Sequence, residues 1–206
     1  MNLQFALDME TMGQSIFVSP VINVSYVIFD WDVFTSDTPY TFKQLIEMMQ
    51  FAKIDVAEQC KMGCRFTKDD LKFWEDLPPE ARKQAKPSAD DISVKKFVSD
   101  LSSYIGNKNI KRWWSRANCY DPVILQRMFD EVSSNAALNN VLPFWKVRDI
   151  RTYIDTRFDF KLKKNSFCPI DDEALWDQYF IQHNSTHDVA ADILRMQKIE
   201  RAIHCD

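Results

Sequence analysis

The sequence predicts an α/β or α+β sandwich whose sheet begins with antiparallel strands. Three observations lead there. The amino end alternates apolar and polar residues, which is the two-residue period of a strand. Two further β-rich segments follow after short connections. Beyond them, helical and extended patterns alternate, which requires helices layered on a sheet.

In order along the chain, Leu3, Phe5, Leu7 and Met9 share one face of the first strand, and Gln4, Ala6, Asp8 and Glu10 share the other. The segment Thr11–Ser19 turns, and Pro20–Trp31 is a second strand rich in β-branched and aromatic residues. Residues 50–57 alternate again and predict a shorter third strand. Thr67 followed by Asp70 has the spacing of a capping box, so a helix is expected from there to Leu77, ended by Pro78-Pro79. Residues 88–105 predict an amphipathic helix, with Val94, Phe97, Val98, Leu101, Tyr104 and Ile105 on one stripe and Gly106 after it. A strand near 111–117 and a helix over 121–134 follow. Residues 144–150 read as a short strand or turn, 149–158 as the start of a helix, and 159–184 as a polar loop. A last helix is expected from Thr186 to Ile203. No repeat or linker interrupts the chain, which reads as one domain over residues 1–206.

Composition excludes several functions. With 3 Gly, the chain has neither a G-x-G-x-x-G motif nor a P-loop. No apolar run reaches the ~18 residues of a membrane span, and MNLQFALD lacks a basic n-region, so neither a membrane nor a secretory signal is expected. Five Cys, an odd number, read as reduced thiols of a cytoplasmic protein. A net charge of −4 argues against coating long nucleic acid but permits an enzyme that grips a chain end. Around two divalent ions, four carboxylates sum to zero and can then accept a phosphate.

Three short patterns carry chemistry. Asp8 and Glu10 are two apart on a strand, so both carboxylates share a face; a hard cation is the usual compensation for such repulsion. Roughly four acid-x-acid matches are expected by chance at this acid content, and a solvated strand face has the same pattern. Asp121 sits where a strand gives way to a helix, which suits either a ligand at a sheet edge or a helix N-cap. His187 and Asp192 lie on the last helix, about 140° apart around its axis, and so can flank a site from two sides. A capping or surface His is the plainer account of His187.

Taken in order, D-x-E on the first strand, Asp at a middle helix and H-x4-D on the last helix resemble the DEDDh family of 3′→5′ exonucleases. The stretches Asp8 to Gly13, Arg65 to Lys68, Pro79 to Lys83, Phe144-Trp145, Arg148 to Thr152 and His187 to Asp192 resemble its DexA-type phage exonucleases and their bacterial exoribonuclease relatives. The resemblance spans nearly the whole chain. It implies a ribonuclease H-like mixed sheet, antiparallel in its first three strands and then parallel, flanked by helices. It also implies two Mg²⁺ or Mn²⁺ ions held by Asp8, Glu10, Asp121 and Asp192. Asp8 would bridge the ions, Glu10 and Asp192 would hold the one carrying the attacking water, and Asp121 the other. His187 would be the general base, the product a nucleoside 5′-monophosphate, and the location the cytoplasm, of a host cell if phage-encoded.

The partner implied is the 3′ end of single-stranded DNA or RNA, with DNA preferred, and the resemblance also allows a homodimer. Thr11 and Met12 could touch the terminal nucleotide, Trp74 could stack on a base, and Arg82, Arg148 and Arg151 could contact phosphates. Core packing for Trp74 and surface ion pairs for the arginines are equal alternatives. Trp113 and Trp114 face opposite sides of a strand, so at most one should reach substrate. Two rival functions are a non-cutting module that binds nucleic-acid ends and a zinc protein built on Cys60, Cys64, His204 and Cys205. The first would dispense with the acids kept here, and the second fits no common zinc spacing.

Overall fold

A computed structural model describes residues 1–132, 137–158 and 180–204. Most of the predicted 159–184 loop, and Cys205, lie outside the described residues. Strand β1 (Leu3–Thr11) pairs antiparallel with β2 (Val21–Asp30), which pairs antiparallel with β3 (Gln50–Lys53). On its other side β1 pairs parallel with β4 (Arg112–Ser115), and β4 with β5 (Val147–Asp149). The sheet order is therefore β3-β2-β1-β4-β5, the mixed ribonuclease H-like arrangement that the resemblance implies.

Helices cover both faces. On one, Phe5, Leu7, Met9 and Trp113 pack under α5 (Val94–Ile105) and α6 (Asp121–Val132). On the other, Ala6, Val27, Phe29 and Trp114 pack under α1 (Phe42–Met48), α8 (Ile150–Arg157) and α9 (Ser185–His204). The polar-looking face of β1 is thus buried as far as Gln4, whose Oε1 accepts a hydrogen bond from Trp114 Nε1 at 3.0 Å. Trp113 Nε1 donates to the Pro143 carbonyl at 3.0 Å. Both tryptophans are core residues.

Local chemistry explains where elements start and stop. The third strand ends at Lys53 because the Asp55 side chain caps a short helix, α2 (Val56–Lys61). The helix predicted from 88 begins at Val94, since Ser93 Oγ accepts the Lys96 N–H and residues Ser88 and Asp91 close a turn before it. The Thr67–Asp70 capping box opens α3 (Lys68–Asp76) as expected. Pro79 then occupies the first turn of a further helix, α4 (Pro79–Ala85), so the proline pair separates two helices. After α6 comes α7 (Ala137–Val141). No described helix is long and apolar enough to cross a membrane.

Candidate active site

The acids of β1 are set by register. Asp8 pairs with Ser25 and Glu10 with Asn23, two polar residues interrupting an otherwise apolar β2. These two hold the first turn of α9. Ser185 Oγ donates to Asn23 Oδ1 at 2.6 Å and lies 2.7 Å from Ser25 Oγ, and Thr186 Oγ1 lies 2.8 Å from the same hydroxyl. Asn184 Oδ1 accepts the backbone N–H groups of Thr186 and His187, capping the helix. Once pinned there, α9 carries Asp188 over β1. One carboxylate oxygen each from Asp8, Glu10 and Asp188 lie within 4.8 Å of one another.

Asp121 and Asp192 complete the surround, each only 4% exposed. The loop that delivers Asp121 is tied at both ends. Asp149 accepts the Asn118 backbone N–H at 3.0 Å, so the backbone of Asn118 is what the fold uses. The Tyr120 hydroxyl donates to the Gly13 carbonyl at 2.9 Å and lies 2.9 Å from Thr11 Oγ1. Gly13 is required by close approach, since a Cβ there would lie 2.8 Å from Ser19 Oγ.

Asp8, Glu10, Asp121 and Asp188 hold protons above the usual range. Burial raises Asp8 well above its ordinary value, and Asp121, Glu10, Asp188 and Asp192 raise it further. Burial and the charges of Asp188 and Asp121 push Glu10 to about 8. Burial likewise lifts Asp121 to about 8 against the opposing pull of Arg151, and Asp188 to about 7. No described hydrogen bond reaches the Asp8 or Glu10 carboxyl. Asp192 differs: Arg116 Nε donates to its two oxygens at 2.8 and 3.1 Å, with further bonds from Arg116 Nη2 and Arg195 Nη1.

Beside Glu10 opens a cleft of about 480 Å³ lined by Thr11, Gly13, Asp69, Phe73, Tyr120 and His183, with Trp74 in its wall. Trp74 is 3% exposed, donates Nε1 to the Thr11 carbonyl and packs with Met12 and Ile22. Trp74 and Met12 are therefore core residues. The exposed aromatic is the neighbouring Phe73, at 49%, edge-on to His183 with ring centres 5.5 Å apart. Among the arginines, Arg151 acts on Asp121. Arg148 instead donates to the carbonyls of Trp145 and Val147 at the sheet edge, and Arg82 on α4 does not line the cleft.

The histidines depart most from expectation. His187 Nδ1 accepts the Ile181 backbone N–H at 3.0 Å, and the ring packs edge-on against Phe42 and beside Phe180. It borders a second cleft with Lys53 and Lys83, whose lining includes none of Asp8, Glu10, Asp121, Asp188 and Asp192. The structure thus brings the acids together without the His187 ring. His183, with φ +60°, lines the acidic cleft. Among the described residues Cys60, Cys64 and His204 gather into no ligand group.

The sheet order and the acids at the carboxyl ends of its central strands are those of a ribonuclease H-like domain. Comparison with known proteins places it further. The family described as the 3′-5′ exoribonuclease Rv2179c-like domain matches residues 3–191, and the chain belongs to that family. An exodeoxyribonuclease of Enterobacteria phage T4 is 31% identical over 206 residues, covering 94% of this chain and 87% of that protein. Among solved structures, E. coli exonuclease I with a dA16 oligonucleotide superposes with a TM-score of 0.64 at 12% identity, covering 100% of this chain and 42% of that one. The zinc-bound form of its complex with single-stranded DNA gives 0.63 at 13%, covering 99% and 41%. At such identity the likeness is one of fold, and the chain spans about two-fifths of those structures' length.

Proposed function

We propose that this chain removes nucleotides from the 3′ end of single-stranded DNA as nucleoside 5′-monophosphates, assisted by two Mg²⁺ or Mn²⁺ ions. The observation that carries the reading is the convergence of Asp8, Glu10 and Asp188 within 4.8 Å, with Asp121 and Asp192 alongside. All five donors are hard carboxylate oxygens, the set that Mg²⁺ and Mn²⁺ prefer. Asp8, Glu10, Asp121 and Asp192 would hold the ions, and Asp188 is a further ligand that the H-x4-D pattern passes over. When bound, two such ions offset charge on the entering and leaving oxygens of an in-line displacement.

The remaining roles belong to the chain's own side chains. The cleft at Glu10 receives the terminal nucleotide, with Phe73 offering an aromatic face to its base and Thr11 fixing the cleft's rim. Of the three arginines expected at phosphates, Arg151 takes that role in this reading, supported by its charge acting on Asp121. The proton acceptor is one of two imidazoles, both kept neutral by burial, which lowers their pKa. His187 serves after its ring turns out from between Phe42 and Phe180, whereas His183 already borders the cleft. Turnover of His187→Ala and His183→Ala separates them.

The phage relative supports DNA, and the family's description supports RNA as the second reading. A time course on 5′-labelled DNA and RNA strands of matched sequence, with Mg²⁺ and with chelator, decides. The expected result is Mg²⁺-dependent shortening from the 3′ end with DNA the faster substrate. Faster loss of RNA selects the second reading, and no shortening of either strand, with binding retained, selects the non-cutting module.

A further inference from the structure

We infer that Arg116 is an exchangeable counter-ion: it clamps Asp192 while the site is empty and passes to a phosphate of the substrate as Asp192 turns to a divalent cation. The inference rests on the metal-assisted reading above and adds an order of events to it.

The acids fall into two groups. Asp8, Glu10 and Asp188 present oxygens to one another, while Asp192 is held outside that group by two guanidinium ions. Arg116 grips it through both Nε and Nη2, so its directed donors occupy both carboxylate oxygens. While that grip is intact, Asp192 is turned to the two guanidinium ions rather than to the group formed by Asp8, Glu10 and Asp188. The Arg116 and Asp192 side chains are 16% and 6% exposed, and breaking a charge pair at such depth without a substitute is strongly unfavourable. A phosphate supplies the substitute, because it matches the planar guanidinium fork as a carboxylate does.

Position selects Arg116 over Arg195 for the exchange. Arg195 lies three residues along α9 from Asp192 and travels with it. Arg116 belongs to another element, the loop between β4 and Asp121, and also feels the charges of Asp8 and Asp188. Tyr120 ties that same loop to Thr11 and Gly13 at the cleft. The guanidinium thus sits among the carboxylates, on the loop whose Tyr120 lines the cleft proposed for the chain end. A phosphate that draws it away frees Asp192, so cation and phosphate must each tighten the other, by reciprocity of linked equilibria.

The test is calorimetric titration of Mn²⁺ into the metal-free protein, alone and with thymidine or uridine 5′-monophosphate. Wild type should bind one ion tightly and a second weakly, and the monophosphate should tighten the second about tenfold or more. In Arg116→Gln the second ion should already bind about tenfold more tightly without nucleotide, and the nucleotide's effect should shrink by a similar factor. Equal second-ion affinity and an undiminished nucleotide effect in the variant would overturn the inference while leaving the nuclease reading intact. If wild type binds no Mn²⁺, that reading itself fails. A second measurement needs no loss of function: the ¹⁵N-labelled Arg116 Nε–H resonance, assigned through Arg116→Lys, should shift with Mg²⁺ and monophosphate together and stay in place with either alone. A resonance that stays in place with both present also overturns the exchange.

Discussion

Two partly buried acidic regions of this molecule are treated in opposite ways. Before α5, Asp91 takes hydrogen bonds from Ser88 Oγ at 2.7 Å and Ser88 N–H at 3.1 Å, with Lys53 Nζ 3.1 Å away. Burial raises that carboxyl, yet these partners outweigh it and bring its pKa down. At the carboxyl end of β1, burial raises Asp8, Glu10, Asp121 and Asp188, and the charges of neighbouring carboxylates raise them further. Where an acid serves the fold, the chain supplies its counter-charge. At the strand end that supply stops short, and the shortfall is what a divalent cation would make good.

Exchanging the acids tests that contrast with the largest effect. Asp8→Asn should cut turnover about a thousandfold, the rate equivalent of several kcal/mol of lost charge stabilisation. It should also raise the melting temperature of the metal-free protein by a few degrees, because a buried repulsion is removed. Asp91→Asn should do the reverse, lowering the melting temperature with turnover unchanged. Melting curves in chelator beside initial rates in Mg²⁺ decide, and a destabilised Asp8→Asn would put both acids in the same class.

The second pair of effects contrasts Trp74 with Phe73. Trp74→Ala opens the small core under the cleft and should cost about 3–5 kcal/mol in denaturant melts. Phe73→Ala should leave stability nearly unchanged and raise KM for single strands about tenfold, as loss of one stacked base implies. Equal KM for Phe73→Ala and wild type would take the ring out of the substrate's path.

A further effect is on pH. Glu10, Asp121 and Asp188 keep protons when folded up to about 8, 8 and 7 and release them near 4 when unfolded. The folded state therefore binds more protons across that window, and the metal-free protein should lose stability as pH rises from about 5 to 8. Mg²⁺ should restore more of it at pH 8 than at pH 6. Scanning calorimetry at several pH values, with Mg²⁺ and with chelator, tests this; a flat metal-free profile would mean the acids are already compensated.

Much of this was legible in the sequence. Strict alternation in β1 fixes the face shared by Asp8 and Glu10, and the strand-to-helix break puts Asp121 at a sheet edge. Short helices such as α1 and α2 were not legible, because six or seven residues give too few turns for a helical stripe to show. Of the two readings open for Trp74, core packing holds because a carbonyl 63 residues away, that of Thr11, takes its Nε1 hydrogen bond, and the exposed Phe73 beside it had drawn no expectation. The direction of His187 depends on Phe42 and Phe180, and the clamp on Asp192 joins residues 76 apart. Asn23 and Ser25 did leave a trace, as polar positions within an apolar strand facing the acids.

The most direct measurement is anomalous diffraction from crystals of the metal-free protein soaked in Mn²⁺. The account predicts a first peak among the Asp8, Glu10 and Asp188 carboxylates, about 2.1 Å from oxygens of each. A Mn²⁺ peak bound elsewhere, with those three carboxylates untouched, would contradict it.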